Sequence, residues 1–259
     1  MFHCFSVSAT TLLADDVLFS FGSLGVNSLS WNLGLSKASE LLYAGCSAGA
    51  LTTYVHADYV RSRVPSTVRM AALADAMFSL HHVAFPNISD NYYTRQFVWG
   101  YDGWNSSGSL NAACQAHYGG LANNQSWVCF HGAVAAQYVS TLPLFILNSR
   151  FDTWQKAGVL SLPGCTPTVT NGTVDLCPGS TTNATILEWK KFWLAYGDAM
   201  TEALTKIPIR HGAHLTNCPT HCQSGDLANP STPGVYAKDA IVAWYSAAIT
   251  DGQNSSWVR

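Results

Sequence analysis

The apolar run Leu41-Leu-Tyr-Ala44 leads straight into Gly45-Cys46-Ser47-Ala48-Gly49, and no other stretch restricts the folding of this chain as tightly. The pattern is that of a sharp strand-to-helix turn, in which glycines two residues either side of a serine let neighbouring backbone approach closely and present its hydroxyl. The flanks agree with such a turn. The run before it reads as a buried strand, and Ala50 to Arg61 after it reads as a helix with Leu51, Tyr54, Val55 and Tyr59 on one apolar face. Ser47 is therefore the candidate nucleophile, with Gly45 and Gly49 forming the elbow. The backbone N–H of Ala48, next in line, is a candidate oxyanion donor.

Further strands and helices alternate along the chain. Val68 to Leu73 reads as a strand ending at Asp75, and Pro143 to Leu147 as a continuous apolar strand of the kind buried on both faces of a parallel sheet. Thr185 to Leu204 reads as a long helix with Ile186, Trp189, Phe192, Trp193, Tyr196 and Met200 at helical spacing, an aromatic stripe suited to a core. Ile207 to His211 is read as the last strand and Val235 to Ile249 as a closing helix, while Asn87 to His131 lacks periodicity and reads as an irregular lid or insertion. The order implies an α/β fold with a mostly parallel sheet, and the length of 259 residues suits one domain, residues 1–259.

A hydroxyl needs a base to become nucleophilic near neutral pH, and the base needs a carboxylate to orient it. Of the aspartates after Ser47, Asp152 stands just beyond a fully apolar strand, where functional loops are presented, and Asp75, also just after a strand, competes with it. His211, His214 and His221 follow Asp152. His221 is preferred because it lies farthest into a loop, between Cys218 and Cys222. A metal cluster built from His211, His214, Cys218, His221 and Cys222 is the rival reading, although the spacing matches no common zinc pattern. No metal and no cofactor are expected.

Composition narrows the partners and the compartment. Charged residues are only 11% of the chain against about 25% in an ordinary soluble protein, the net charge is −2, and no basic stripe with aromatics appears, which argues against a nucleic-acid partner. The longest apolar stretches fall short of the roughly 20 residues that cross a membrane, so no membrane insertion is expected. Asn-x-Ser/Thr sequons occur at Asn87, Asn105, Asn124, Asn171, Asn183 and Asn254, and cysteine occurs eight times, both features of a secreted glycoprotein. Cys114 with Cys129 and Cys165 with Cys177 are the expected bridges, and Cys46 is expected to be a buried free thiol. Met1 to Ser20 lacks the features of a signal peptide.

Four blocks in order resemble the pectin acetylesterase and Notum family: Tyr43 to Gly49, Leu73 to Ala76, Pro143 to Gln155 and Asn217 to Gln223. The resemblance implies an α/β-hydrolase fold, deacetylation or deacylation through an acyl-enzyme, and a triad falling on Ser47, Asp152 and His221. The Asp152-Thr-Trp-Gln155 stretch is closer to the pectin acetylesterase branch, which makes acetylated cell-wall polysaccharide the expected substrate. A monomer is expected. Trp154 is then a candidate for stacking on sugar. A Notum-like protein deacylase and a non-catalytic glycan-binding module are the alternatives. Two departures stand out. Ala50 replaces the second glycine that usually ends the family's elbow, and residues 1–46 hold no Gly-Gly-Gly-Trp-Cys-like loop to supply further oxyanion donors. The chain is accordingly expected to lack part of the family's N-terminal half.

Overall fold

The computed structural model describes residues 2–3, 17–20, 38–81, 92–103, 105–120, 124–160, 162, 166–179, 183–208, 210–223, 230–232, 235–250 and 257–258. The strands are β1 (Phe2–His3), β2 (Val17–Ser20), β3 (Glu40–Cys46), β4 (Arg69–Asp75), β5 (Leu144–Ser149), β6 (Thr168–Thr170), β7 (Thr173–Asp175), β8 (Gly212–Thr216), β9 (Pro230–Thr232), β10 (Val235–Tyr236) and β11 (Trp257–Val258). The helices are α1 (Ala48–Arg63), α2 (Tyr92–Gly103), α3 (Ala112–Gly119), α4 (Gly132–Tyr138), α5 (Thr153–Gly158), α6 (Ala184–Leu204) and α7 (Ala237–Thr250). Six strands make one parallel sheet in the order β11-β8-β5-β4-β3-β2. A small antiparallel sheet joins β1, β7 and β6, and β9 pairs with β10.

Alternation along the central strands divides the core in two. Leu41, Tyr43, Ala72, Leu144 and Ile146 belong to the larger cluster with residues of α1 and α6, whereas Leu42, Ala71, Leu73, Phe145 and Leu147 pack with Trp244 of α7. Successive side chains of a strand point to opposite faces, so a strand covered on both sides must be apolar throughout, as Leu144 to Leu147 is. Trp244 lies so close to the sheet that a Cβ on Gly212 would sit 2.5 Å from its ring. Glycine is thereby required where β8 begins.

Several boundaries differ from the sequence reading for local reasons. In α1 the buried positions are Ala50, Thr53, Tyr54, Ala57 and Val60, while Tyr59, placed on the apolar face from sequence, is 51% exposed. Small residues on that stripe let the helix lie close to the sheet, while the large apolar residues Leu51, Val55 and Tyr59 give the helical period but sit beside the buried face. The strand expected at Ile207–His211 as the last one is instead β8, five residues later, with β11 following it in the same sheet, and the polar His214 and Thr216 of β8 disguise a fully buried segment. The Asn87–His131 region, expected to be irregular, contains α2, α3 and two 3-10 turns at Ser106–Ser109 and Ser126–Phe130. There the Asn111 side chain caps α3 by accepting from the backbone N–H groups of Ala113 and Cys114, and Cys114 is bonded to Cys129.

Candidate active site

The site forms at the carboxyl ends of β3, β4 and β5, the edge at which parallel α/β sheets bind ligands. β3 ends at Cys46, and Ser47 turns the chain into α1 with φ 57° and ψ −122°, a conformation that costs a non-glycine residue about 1–3 kcal/mol. The turn is held by surrounding contacts. Ser47 N–H donates to the Asp75 carbonyl at 3.0 Å, and Leu51 N–H donates to the Ser47 carbonyl at 3.1 Å. A Cβ on Gly45 would lie 2.3 Å from the Gly49 carbonyl carbon, so the first glycine of the motif is compulsory. A Cβ on Gly49 would meet nothing within 4 Å. The close approach thus constrains one of the two glycines.

β5 delivers Asp152 to the same edge. Its side chain is 1% exposed and caps α5, one oxygen accepting from the N–H groups of Trp154 and Gln155, both at 2.9 Å. The loop after β8 carries His221. Its Nδ1 lies 2.9 and 3.0 Å from the two Asp152 oxygens, and its Nε2 lies 2.8 Å from Ser47 Oγ. The unbroken chain Ser47–His221–Asp152 has the hydrogen-bond geometry of a nucleophile, a base and an orienting acid. Burial pulls the His221 pKa down, but the Asp152 hydrogen bond and charge, together with the charge of Asp75, outweigh it and leave the imidazole above its ordinary 6.5.

The other candidates go elsewhere. Asp75 ends β4 fully buried, and both carboxylate oxygens accept from Gln223 N–H at 2.7 and 2.8 Å. His211 accepts from Leu144 N–H through Nδ1, and its Nε2 lies 3.2 Å from the Val139 carbonyl. Burial, followed by the charge of Arg210, pushes its pKa down to about 4. His214 is buried within β8. The set considered for a metal is therefore dispersed, since Cys218 and Cys222 are disulfide-bonded and His221 faces Asp152 and Ser47. Ala48 is exposed at the start of α1, beside the nucleophile. Trp154 is 37% exposed, its ring centroid 5.9 Å from that of His221 at an interplanar angle of 26° and 5.8 Å from that of Tyr93. Asn105, Asn124, Asn171 and Asn183 are exposed, and Asn183 also caps α6 through its side-chain oxygen. Asn87 and Asn254 lie outside the described residues.

One expectation is overturned. Cys46 is not a free thiol; it is bonded to Cys222, with the two Cα atoms 5.8 Å apart. The reason follows from the chain itself: Cys46 adjoins Ser47 and Cys222 adjoins His221, and consecutive Cα atoms are about 3.8 Å apart, so any fold that brings serine to histidine also brings the cysteines together. The sequence carries the adjacency, and the fold that brings Ser47 to His221 turns it into a bond. Cys177 is also disulfide-bonded, while Cys165, its expected partner, lies outside the described residues.

A parallel sheet flanked by helices, with a serine elbow after one strand and an acid and a histidine on loops after others, defines an α/β-hydrolase-like protein. Residues 26–249 match the family model described as Pectinacetylesterase, and the chain belongs to that family. Pectin acetylesterase 11 of Arabidopsis thaliana is 28% identical over 224 residues, covering 82% of this chain and 53% of its own. Pectin acetylesterase 7 of the same plant is 28% identical over 230 residues, with coverage of 82% and 53%. The chain thus spans about half the length of these curated relatives. Among solved structures, the Wnt deacylase Notum from Drosophila superposes in two crystal forms with TM-scores of 0.64 and 0.68 at 17% identity. The superpositions cover 85% and 90% of this chain and 55% and 62% of those chains, a likeness of fold.

Proposed function

We propose that the protein is a secreted serine carboxylesterase that removes acetyl groups from cell-wall polysaccharide. The observation carrying this reading is the continuous hydrogen-bonded chain from Ser47 Oγ through His221 to Asp152. In the reaction His221 Nε2 takes the Ser47 proton as Oγ attacks the acetyl carbonyl carbon, and Asp152 orients the imidazole and stabilises its charged form. The Ala48 N–H donates to the oxyanion. Collapse of the tetrahedral intermediate returns the proton to the departing sugar hydroxyl and leaves acetyl-Ser47. Water, deprotonated by His221, attacks this ester, and acetate departs as Ser47 regains its proton.

Substrate class rests on the family and on Trp154. An indole partly open to solvent beside the base offers a flat apolar surface of the kind that packs against the C–H face of a sugar. The relatives named pectin acetylesterases favour acetylated pectin among such substrates. Secretion is supported by the exposed sequon asparagines and the disulfides, which suit an oxidising compartment. The described helices include none long and apolar enough to cross a membrane.

Labelling by a fluorophosphonate probe, followed by acetate release from acetylated pectin, tests the reading. Labelling lost in both Ser47→Ala and His221→Ala, together with acetate release, is the expected result. Labelling that persists in Ser47→Ala would refute the assignment of the nucleophile. Hydrolysis of long-chain acyl esters in preference to acetyl esters would transfer the protein to the deacylase class.

A further inference from the structure

Asp75 is a buried carboxylate that the proposed chemistry leaves unused. It is 1% exposed, and removing an ionised carboxylate from water costs several kcal/mol unless its oxygens are satisfied. Its partners explain its presence. The backbone carbonyl of Asp75 accepts from Ser47 N–H, which fixes the nucleophile turn, and its side chain accepts from Gln223 N–H, two residues beyond His221. One residue thus touches both the segment that carries the nucleophile and the segment that carries the base. The surrounding structure keeps it there. In register, Asp75 stands beside Cys46 on β3 and Leu147 on β5, and Gln223 is secured by accepting from the Thr216 hydroxyl of β8 at 2.9 Å. The Cys46 and Cys222 sulfurs and a carboxylate oxygen of Asp75 all lie within 4.8 Å of one another.

We propose that Asp75 is a positioning residue for the base: its carboxylate holds the His221 loop against the nucleophile turn, and its negative charge favours the imidazolium that forms during acyl transfer. This inference rests on the esterase reading of Ser47 and His221. Asp152 does the orienting through direct contact with Nδ1, whereas Asp75 acts from behind, through the Gln223 amide and through space. Among the described residues, the groups that face the imidazole from the elements around it are Asp152 at the start of α5, Asp75 at the end of β4, the Ser47 hydroxyl and the Trp154 ring. The two carboxylates both pull its pKa upward, in keeping with the role.

The test uses Asp75→Asn, which keeps the shape and one oxygen acceptor but removes the charge. With p-nitrophenyl acetate, kcat is expected to fall about 10- to 100-fold with KM nearly unchanged, the loss typical of a catalytic group displaced by a fraction of an ångström to about 1 Å. The acid limb of the kcat/KM profile is expected to move to lower pH, and the His221 imidazole pKa, read by NMR, to fall with it. An unchanged kcat and an unchanged imidazole pKa in the folded variant would overturn the proposal. Should the variant not fold, the unaltered protein decides: a Gln223 amide strongly protected from hydrogen exchange supports the proposal, and one that exchanges like an open loop overturns it. If the unaltered protein shows no Ser47 labelling, the esterase reading fails, while the imidazole pKa and the Gln223 amide still report on Asp75 separately.

Discussion

Cys46, the residue before the candidate nucleophile, is bonded to Cys222, the residue after the candidate base. A covalent link between residues 176 positions apart therefore ties the turn after β3 to the loop after β8 at the point where Ser47 meets His221. A cross-link closing so long a loop typically contributes about 2–4 kcal/mol to stability. In Cys46→Ser/Cys222→Ser we expect the urea midpoint to drop accordingly and fluorophosphonate labelling to slow. Cys114→Ser/Cys129→Ser, which opens a separation of 15 residues between α3 and a 3-10 turn, should lower stability while leaving the labelling rate of the folded protein unchanged. Equal labelling rates in the two double variants would show that the Cys46–Cys222 bond does not position the site.

Asp152 has two duties that substitution can separate. It accepts from Nδ1–H of His221, and it caps α5. Asparagine caps a helix as well as aspartate but offers the wrong partner to the imidazole, and the same exchange in a Ser-His-Asp triad lowers kcat by about 10⁴-fold. Asp152→Asn should therefore keep near-wild-type thermal stability and lose nearly all turnover. Asp152→Ala should lose turnover and also about 1 kcal/mol of stability with the cap. Comparable turnover in Asp152→Asn and the unaltered protein would remove Asp152 from the mechanism.

The two elbow glycines are predicted to respond oppositely. Gly45→Ala drives a methyl group to 2.3 Å from the Gly49 backbone, which cannot move without displacing the strained Ser47 turn. Loss of labelling or of soluble expression is expected. Gly49→Ala meets open space within α1 and should be neutral or stabilising by up to about 1 kcal/mol, because alanine loses less chain entropy in a helix. Thermal midpoints and labelling of the two variants, measured side by side, check the contrast.

Acid should act on activity and on stability through different histidines. In the proposed reaction His221 acts as the base when neutral, and against the pull of burial Asp152 and Asp75 hold its imidazole above the ordinary 6.5, so kcat/KM is expected to fall as pH drops through that raised value. The same raised pKa adds stability at low pH that is lost as pH rises through the folded value. His131 and His211 work in the other direction. Burial, helped for His131 by His81 and for His211 by Arg210, lowers their pKa values to about 3 and about 4. The unfolded chain therefore takes up protons first as pH falls below 6.5, and each group removes about 1.4 kcal/mol per pH unit within its window. His131 is fully buried, and among the described residues no group hydrogen-bonds either of its ring nitrogens, which makes it the cleaner test. His131→Phe should flatten the loss of stability between pH 6 and 4 in urea titrations, and an unaltered slope would contradict it.

Much of the framework could be read from the chain because it depends on local patterns. The continuous apolar run before Asn148 announced a strand buried on both faces, and the glycine-flanked serine announced the turn, since close backbone approach at Gly45 leaves no alternative residue. His214 and Thr216, polar residues buried in the sheet, break the apolar signal of β8, so the pattern points to a strand five residues too early. Tyr59 fits the helical spacing of Leu51, Tyr54 and Val55, but the face that α1 buries runs through Ala50, Thr53, Tyr54, Ala57 and Val60, whose small members give a weaker apolar signal than the exposed tyrosine.

The sequence by itself determined the types of residue the site would draw on and the order in which the chain would present them, because strand, turn and helix preferences act over a few neighbouring residues. Only the tertiary structure decided which acid faces His221 and which steadies its loop, for Asp75 and Asp152 both follow strands and differ in the neighbours that sheet order assigns to them. It also decided that Cys46 would be bonded rather than free. Pairing across 176 residues is a property of three-dimensional distance, which no local preference encodes.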